Sequence, residues 1–434
     1  MQLFIEPPSS LAGTLKPPGD KSISHRAAII GALAEGTTVI EGFLEGDDCL
    51  STLRCLRALG VNIEGPHRGH VTIYGKGMFL KEPEDVLDAG NSGTTMRLLM
   101  GVLAGQPFYS VITGDPSLRW RPMGRVTRPL KTMGAQIWGR NGGELAPLSI
   151  QGGNLQSLSY TLPVASAQVK SSLLLAGLFA RGETIISEPF PTRDHSERLL
   201  KAAGAALDVE GQTIKISGGR PLKPLAVVVP GDISAAAFFM VAGCIHPHAD
   251  IILKNVNLNP TRTGIIDVLK AMGGQITVIP RGESSGEPVG DIHVASSQLH
   301  GVEIGGALIP RLIDEIPVLA VAAAVASGET LIRDAAELRV KESDRITLVA
   351  RELGKMGASI QALPDGFLIQ GNRGGDLRGA IVDSHGDHRL GMALAIAALV
   401  ADGPTVIRGA ECLAVSYPQF SAHMSILGVK VKEE

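Results

Sequence analysis

A short pattern recurs six times along the chain and constrains the fold more than any other feature. In each copy an amphipathic helical pattern ends at a glycine, and a short segment with strand character follows. The glycines are separated by 74, 70, 69, 84 and 71 residues and are Gly60, Gly134, Gly204, Gly273, Gly357 and Gly428. Glycine commonly ends a helix because it adopts a left-handed conformation without steric cost. A repeat of about 70 residues exceeds the roughly 20 to 50 residues of solenoid repeats, and it predicts a unit of two helices with three or four strands.

The first helix of each repeat is rich in Ala and Leu and apolar on all sides, which predicts that it is buried with the sheets outside it. These helices are expected at residues 27–33, 95–103, 171–179, 235–242, 318–326 and 390–400. At 434 residues the chain exceeds the usual size of one hydrophobic core. The sequence therefore predicts an α/β fold of two similar domains with three units each.

Composition and charge exclude several classes of function. The net charge of −3 argues against bulk binding to nucleic acid or to an anionic membrane. The longest apolar runs, such as residues 316–326, reach about half of the roughly 20 residues that a membrane helix needs. The first residues lack the basic and apolar regions of a signal peptide. We therefore expect a cytoplasmic protein without nucleic-acid or membrane partners.

Pro-Gly-Asp opens a helical segment at residues 18–20 and again at residues 230–232, but only the first copy is followed by cations. Asp20 interrupts the Gly-Lys-Ser order of a P-loop, which disfavours an ATP site. A helix start with Lys21 and Ser22 suits a bound anion, because free backbone N–H groups and the helix dipole point there. A solvated helix start capped by Asp20 explains the same residues equally well.

Other buried helices also begin with polar residues. Residues 91–97 form a small-polar turn that suits either a backbone anion nest around Gly93 or a plain N-cap. Asp314 lies in an apolar run, where a carboxylate is costly unless it is paired or functional.

Two charged segments in the second half are further candidates. Residues 339–345 carry five charges; as a helix they would place Lys341 and Arg345 on one face, or they form an exposed charged helix. Residues 385–389 contain two His and one Asp, but these are too crowded for a usual zinc spacing, so we predict no metal. If the helix starts of the two domains face each other, the cations would suit substrates with several phosphate or carboxylate groups.

Four segments carry a resemblance that covers essentially the whole chain. They read Gly-Asp-Lys-Ser-Ile-Ser-His-Arg at 19–26, Gly-Asn-Ser-Gly-Thr-Thr-Met-Arg at 90–97, Arg-Val-Lys-Glu-Ser-Asp-Arg at 339–345 and Asp-His-Arg at 387–389. Together they resemble the 3-phosphoshikimate 1-carboxyvinyltransferase family, also called EPSP synthase. The resemblance implies the enolpyruvyl transferase fold, an inside-out α/β barrel of two domains with three β-α-β-α-β-β units each. The implied domains are 20–230, on the shikimate 3-phosphate side, and 1–19 with 231–434, with the active site in the cleft between them.

The resemblance implies transfer of the enolpyruvyl (carboxyvinyl) group of phosphoenolpyruvate to the 5-hydroxyl of shikimate 3-phosphate, with release of phosphate, on the way to chorismate and aromatic amino acids. It implies a monomer that needs no cofactor. Asp314 or Lys21 would take the hydroxyl proton, and Glu342 would protonate the methylene carbon.

Binding residues are implied in the same way. Those for shikimate 3-phosphate are Lys21, Ser22, Arg26, Ser166, Ala167, Gln168, Arg193, Asp314 and Lys341. Those for phosphoenolpyruvate are Lys21, Gly93, Arg121, Gln168, Arg345 and Arg389. Residues 166–170, 193–197 and 259–262 are similar to the family's second class.

Two rival functions stay open on the sequence alone. The sister transferase that acts on UDP-N-acetylglucosamine often carries a reactive Cys on an early loop, whereas residues 113–125 contain none. A non-catalytic sensor of phosphorylated metabolites would need neither Asp314 nor Glu342.

Overall fold

The computed structural model describes residues 1–372 and 377–434. Their packing divides them into two compact units, each with its own hydrophobic core. The N-lobe comprises Gly19–Val229 and Ser284–Glu287. The C-lobe is built from three segments, which are Met1–Pro18, Pro230–Glu283 and Pro288–Glu434.

Thirteen α-helices lie within the described residues. They are α1 (Lys21–Leu33), α2 (Asp47–Ala58), α3 (Gly93–Ala104), α4 (Gly124–Thr132), α5 (Ala167–Gly177), α6 (His195–Ala202), α7 (Ile233–Ile245), α8 (Gly264–Ala271), α9 (Ile309–Leu312), α10 (Ile316–Val325), α11 (Arg345–Lys355), α12 (His388–Ala398) and α13 (Phe420–Ile426). No helix in this described part of the chain combines the length and apolar character needed to cross a membrane.

The same residues contain twenty-four strands. They are β1 (Gln2–Glu6), β2 (Leu11–Leu15), β3 (Glu35–Glu41), β4 (Asn62–His67), β5 (His70–Lys76), β6 (Leu87–Asp88), β7 (Tyr109–Thr113), β8 (Gln136–Arg140), β9 (Leu145–Gln151), β10 (Ser159–Thr161), β11 (Glu183–Ser187), β12 (Ala206–Glu210), β13 (Thr213–Ser217), β14 (Ala226–Val228), β15 (Ala249–Asn257), β16 (Gln275–Ser284), β17 (Glu287–Ala295), β18 (Glu303–Ile304), β19 (Gly328–Ile332), β20 (Ser359–Leu363), β21 (Gly366–Gly371), β22 (Ile381–Asp383), β23 (Thr405–Arg408) and β24 (Lys430–Glu433).

Six four-stranded sheets share one topology. In the unit β6-α3-β7-α4-β8-β9 the sheet order is β6-β7-β9-β8, with β6 parallel to β7 and the other neighbours antiparallel. The sheets β10-β11-β13-β12 and β18-β19-β21-β20 repeat this order. In the N-lobe β14 supplies the first strand of the sheet that contains β3, and in the C-lobe β1 completes the sheet of β22 to β24. The β-α-β-α-β-β unit implied by the resemblance is confirmed.

The first helix of each unit is buried and the second is amphipathic. In α7 every residue from Ile233 to Cys244 is buried. In α11 the buried apolar residues Ile346, Val349 and Leu353 recur at three- or four-residue spacing, as expected for a helix with one face against the core. Burial of the six apolar helices is therefore confirmed.

The six repeated glycines lie directly after the cap residues of α2, α4, α6, α8, α11 and α13. Their φ angles range from 82° to 109°. This left-handed conformation disfavours a side chain, which explains why glycine ends each of these helices. The prediction of six helix stops is confirmed.

The charged segment 339–345 differs from the single helix considered above. A 3-10 turn covers Ala336–Val340, and α11 begins only at Arg345, where the Asp344 side chain accepts a hydrogen bond from the backbone of Thr347. The expectation that Lys341 and Arg345 share one helix face is wrong, because Asp344 caps a new helix between them.

Candidate active site

The lysine at the start of α1, Lys21, forms an ion pair with the carboxylate of Asp48. The Asp20 side chain accepts a hydrogen bond from the backbone N–H of Ile23 at 3.0 Å, and Asp20 is fully buried. Lys21 Nζ lies 3.0 Å from Asp48 Oδ2, and both side chains are largely buried. The Asp20 cap that the sequence allowed is therefore present and buried, whereas Lys21 and Ser22 remain partly exposed.

Arg26 joins three helices of the N-lobe. Its Nε donates to Ser196 Oγ on α6 at 2.7 Å, and Nη2 donates to Ser171 Oγ on α5 at 2.7 Å. Its Nη1 donates to the backbone oxygen of Ser22 at 3.0 Å. The guanidinium is almost fully buried, so its direction is fixed by these partners.

Gly93 begins α3 beside two guanidinium groups. Ser92 caps the helix through the backbone N–H of Thr95. A Cβ atom on Gly93 would lie 2.9 Å from Arg97 Nη1 and 3.6 Å from Arg121 Nη1. The absence of a side chain at Gly93 therefore lets two guanidinium groups lie close to the start of α3, and such a pair of cations at a helix start suits an anion.

Gln168 and Asn91 hold these two arginines. Gln168 Oε1 accepts from Arg97 Nη1 at 2.6 Å, while its Nε2 donates to Thr94 Oγ1 at 2.9 Å. Asn91 accepts from Arg121 through its backbone oxygen at 3.1 Å and through Oδ1 at 2.6 Å. The structure thus brings the predicted residues Gln168 and Arg121 to the start of α3.

Three predicted residues lie at the edges of this N-lobe group. Ser166 directly precedes α5 and Ala167 begins it, and both are partly exposed. Arg193 lies in the segment between β11 and α6 and is also partly exposed. Their partial exposure leaves them accessible to a ligand.

Asp314 lies among cations in the C-lobe. It belongs to the turn Ile313–Glu315 directly before α10. Its Oδ1 lies 3.4 Å from Arg345 Nη1, 3.5 Å from Lys341 Nζ and 4.0 Å from Arg389 Nε. Its backbone oxygen accepts from Arg389 Nη1 at 3.1 Å. Three cationic side chains therefore lie within 4.0 Å of this carboxylate oxygen.

Asp387 fixes Arg345 from the opposite side. Asp387 accepts from Arg345 Nε at 2.8 Å and from Nη2 at 3.2 Å, and both residues are fully buried. It also accepts from Ser343 Oγ at 2.9 Å and from the backbone N–H of Arg389, so the same carboxylate caps α12. Glu342 accepts a further hydrogen bond from Arg345 Nη2.

Ionisation of this cluster follows from its contacts. Burial opposes the charge of Arg345, but Asp387, Glu342 and Asp314 outweigh burial and raise the pKa of Arg345. Burial also acts to raise the pKa of Asp387, but Arg345 outweighs it, so the pKa of Asp387 is lowered. The cluster therefore combines fixed cations with a partly exposed carboxylate, the groups that anion binding and general-base catalysis need.

One group of potential metal ligands occurs within the described residues, and it lies in the N-lobe. It consists of Asp194, His195 and Glu287. Arg198 Nε lies 2.9 Å from Asp194 and 3.9 Å from Glu287, and His195 Nδ1 lies 2.7 Å from Glu287. Because these carboxylates already face a cation, we interpret the group as an ion-pair cluster and assign no metal to it.

Sequence reasoning missed three residues that hold the predicted ones in place: Asp48, Arg97 and Asp387. Arg97 and Asp387 occur in the quoted motifs but received no role there. The signal for Asp48 is the pair Asp47-Asp48 at the start of α2, which on its own looks like an ordinary acidic helix start.

Six β-α-β-α-β-β units, with cations and carboxylates at the starts of their buried helices, define the enolpyruvyl transferase fold. The solved structure of the enolpyruvyl transferase NikO from Streptomyces tendae has this fold, with a TM-score of 0.77 over 99% of this chain and 98% of that one. The two sequences are 17% identical, so this likeness concerns the fold alone.

Within that class the chain belongs to the EPSP synthase (3-phosphoshikimate 1-carboxyvinyltransferase) family, whose model matches residues 5–424. The 3-phosphoshikimate 1-carboxyvinyltransferase of Desulforamulus reducens is 56% identical over 422 residues, which cover 97% of this chain and 98% of the relative. That of Shouchella clausii is 56% identical over 428 residues, covering 98% and 99%. A solved EPSP synthase from Acinetobacter baumannii is 47% identical over 100% of both chains, with a TM-score of 0.87.

Proposed function

We propose that this chain catalyses its family's reaction, the transfer of the carboxyvinyl group of phosphoenolpyruvate to the 5-hydroxyl of shikimate 3-phosphate with release of phosphate (EC 2.5.1.19). The observation that carries the proposal is Asp314, a carboxylate within 4.0 Å of three cationic side chains in a member of this family. We also propose that the protein acts in the cytoplasm as a monomer.

Shikimate 3-phosphate would bind through cations and hydroxyls at the starts of buried helices. Arg26 and Arg193 would bind its anionic groups, and Arg193 would face the phosphate, since a guanidinium binds a carboxylate or a phosphate through two parallel hydrogen bonds. The partly exposed hydroxyl of Ser166 and the backbone at Ala167 would bind the ring and its hydroxyls. The full proposed set is Lys21, Ser22, Arg26, Ser166, Ala167, Gln168, Arg193, Asp314 and Lys341.

Phosphoenolpyruvate would bind through cations at the starts of buried helices. The two guanidinium groups beside Gly93 support this role, because they bring positive charge to the start of α3, where the helix dipole also favours an anion. The full proposed set is Lys21, Gly93, Arg121, Gln168, Arg345 and Arg389.

The chemistry would proceed by addition and elimination. Asp314, or Lys21 in its neutral form, takes the proton of the 5-hydroxyl while the oxygen bonds to C2 of phosphoenolpyruvate, and C3 receives a proton from Glu342. Loss of a proton from C3 and of phosphate from C2 then gives the enol ether product. In the unliganded protein Glu342 accepts a hydrogen bond from Arg345. An anion bound to Arg345 would weaken that bond and favour protonation of Glu342.

The test is phosphate release by the purified protein. We expect release that requires both phosphoenolpyruvate and shikimate 3-phosphate. UDP-N-acetylglucosamine replaces shikimate 3-phosphate in a parallel reaction. Release only with the sugar nucleotide would assign the chain to the sister activity, and tight binding of shikimate 3-phosphate without any release would indicate a sensor.

A further inference from the structure

Three charged side chains that the proposed mechanism does not use are buried together in the N-lobe. Lys170 Nζ lies 2.8 Å from Glu188 Oε1 and 2.6 Å from Glu197 Oε1. Lys170 has no exposed surface, and Glu188 and Glu197 are 7% and 5% exposed. Lys170 is on α5, Glu197 is on α6, and Glu188 directly follows β11. We refer to these three residues as the Lys170 cluster.

Hydrophobic replacement of such a cluster often costs no stability, so stability alone explains it poorly. It places two carboxylates against one ammonium group. Burial raises the pKa of Glu197, and Lys170 offsets this only in part. Glu197 Oε2 is buried without a hydrogen-bond partner among the described residues. A buried carboxylate oxygen without a hydrogen bond is costly, so its presence here indicates that the Lys170 cluster has a role other than stability.

The neighbours of the cluster in sequence are the partners of Arg26. Ser171 follows Lys170, and Ser196 precedes Glu197. Both hydroxyls accept from Arg26 at 2.7 Å, and Ser196 Oγ lies 2.7 Å from Ser171 Oγ. The ion pair between Lys170 and Glu197 therefore joins α5 to α6 one residue away from the point where both helices hold the guanidinium.

The cluster also fixes the segment that carries Arg193. Glu188 Oε2 accepts from the backbone N–H of Thr192 at 3.2 Å and from its hydroxyl. Lys170 Nζ donates to the backbone oxygen of Thr192 at 3.3 Å. Both backbone polar groups of the residue before Arg193 are thus bound to the cluster.

We propose that the Lys170 cluster is a positioning device for the anionic groups of shikimate 3-phosphate, setting the direction of Arg26 through Ser171 and Ser196 and the place of Arg193 through Thr192. This inference rests on the proposed function. None of the three cluster residues needs to touch the substrate.

Two substitutions at Glu197 separate positioning from bulk stability. Glu197→Gln keeps an oxygen that accepts from Lys170, whereas Glu197→Ala removes the tie between α5 and α6. Both leave Lys170 paired with Glu188, so neither strands a lone buried charge. We expect Glu197→Ala to raise the KM for shikimate 3-phosphate roughly 10- to 100-fold, the effect of losing a charged hydrogen bond to a ligand. The KM for phosphoenolpyruvate should change less than about threefold, and Glu197→Gln should restore most of the loss.

Gln106→Ala is the matched control. Gln106 is fully buried in the same lobe, where it bonds to the backbone of Met78 and Leu80. It lies beyond the end of α3, roughly 20 Å along the helix axis from Gly93. We expect this control to lower the unfolding midpoint and leave both KM values unchanged.

Calorimetry of shikimate 3-phosphate binding to the Glu197→Ala variant provides a second test. We expect the same selective loss. A folded Glu197→Ala variant with a normal KM for shikimate 3-phosphate would overturn the inference, as would equal increases in both KM values. If wild-type protein releases no phosphate with either acceptor, the proposed function fails instead, so the two failures are distinguishable.

Discussion

Asp387→Asn tests whether the C-lobe cluster depends on one buried ion pair. The substitution removes the charge that faces Arg345 but keeps an oxygen that caps α12, since Asn and Asp cap helices equally well. Both partners are fully buried and joined by two hydrogen bonds of 2.8 and 3.2 Å. Breaking such a pair from one side costs about 3–5 kcal/mol. Because Glu342 and Asp314 still face Arg345, we expect the lower value, about 3 kcal/mol.

Amide hydrogen exchange in α12 is the suitable assay. Both tryptophans, Trp120 and Trp138, are in the N-lobe, so their fluorescence would report on the other unit. A loss of about 3 kcal/mol raises the population of the open helix roughly 100-fold, and exchange accelerates by the same factor. Asp387→Ala should lower the free energy of opening α12 by about 1 kcal/mol more than Asp387→Asn does, because alanine also removes the helix cap.

Asp344→Asn is the matched control for this prediction. Asp344 caps α11 as Asp387 caps α12, and it pairs with Arg339 at 2.9 Å, but its side chain is 38% exposed. Solvent screens this pair, so we expect a loss below about 1 kcal/mol in α11. Equal, small effects of the two substitutions would refute the view that burial makes the Arg345 pair decisive.

Three further predictions concern single residues. Gly93→Ala places a Cβ 2.9 Å from Arg97 Nη1. The flexible Arg97 side chain can move away, so we expect normal folding but a roughly tenfold higher KM for phosphoenolpyruvate. An unchanged KM would show that phosphoenolpyruvate does not bind beside Gly93. Asp314→Ala should lower kcat at least about 100-fold with smaller changes in KM, measured by phosphate release, and near-normal turnover would remove Asp314 from the mechanism. Burial lowers the pKa of His25 well below its usual value. The unfolded chain binds this proton near pH 6.5 and the folded chain does not, so N-lobe stability should be full above that pH and fall below it by up to about 1.4 kcal/mol per pH unit. Urea unfolding followed by tryptophan fluorescence measures this slope, and an equal slope in His25→Gln would assign it to other groups.

Features that depend on neighbouring residues were predictable from the sequence. Helix α2 ends before Gly60 because the residue at position 60 has a left-handed backbone conformation, which glycine alone adopts at no cost. Burial of α7 follows from its uninterrupted apolar residues. The segment 339–345 shows the limit of such reasoning, because Asp344 begins a new helix where charge spacing alone suggests a continuous one.

The sequence by itself determined the repeat, the buried helices, the helix stops and the residue types that begin each buried helix, because all of these are set within a few residues of chain. Only the tertiary structure decided which charges pair. Asp48 reaches Lys21 across 27 residues, and Asp387 reaches Arg345 across 42. Electrostatic pairing depends on distance in space and on burial, neither of which is encoded by spacing along the chain. The same physical reason explains why the Lys170 cluster was visible only after folding had brought α5 and α6 together.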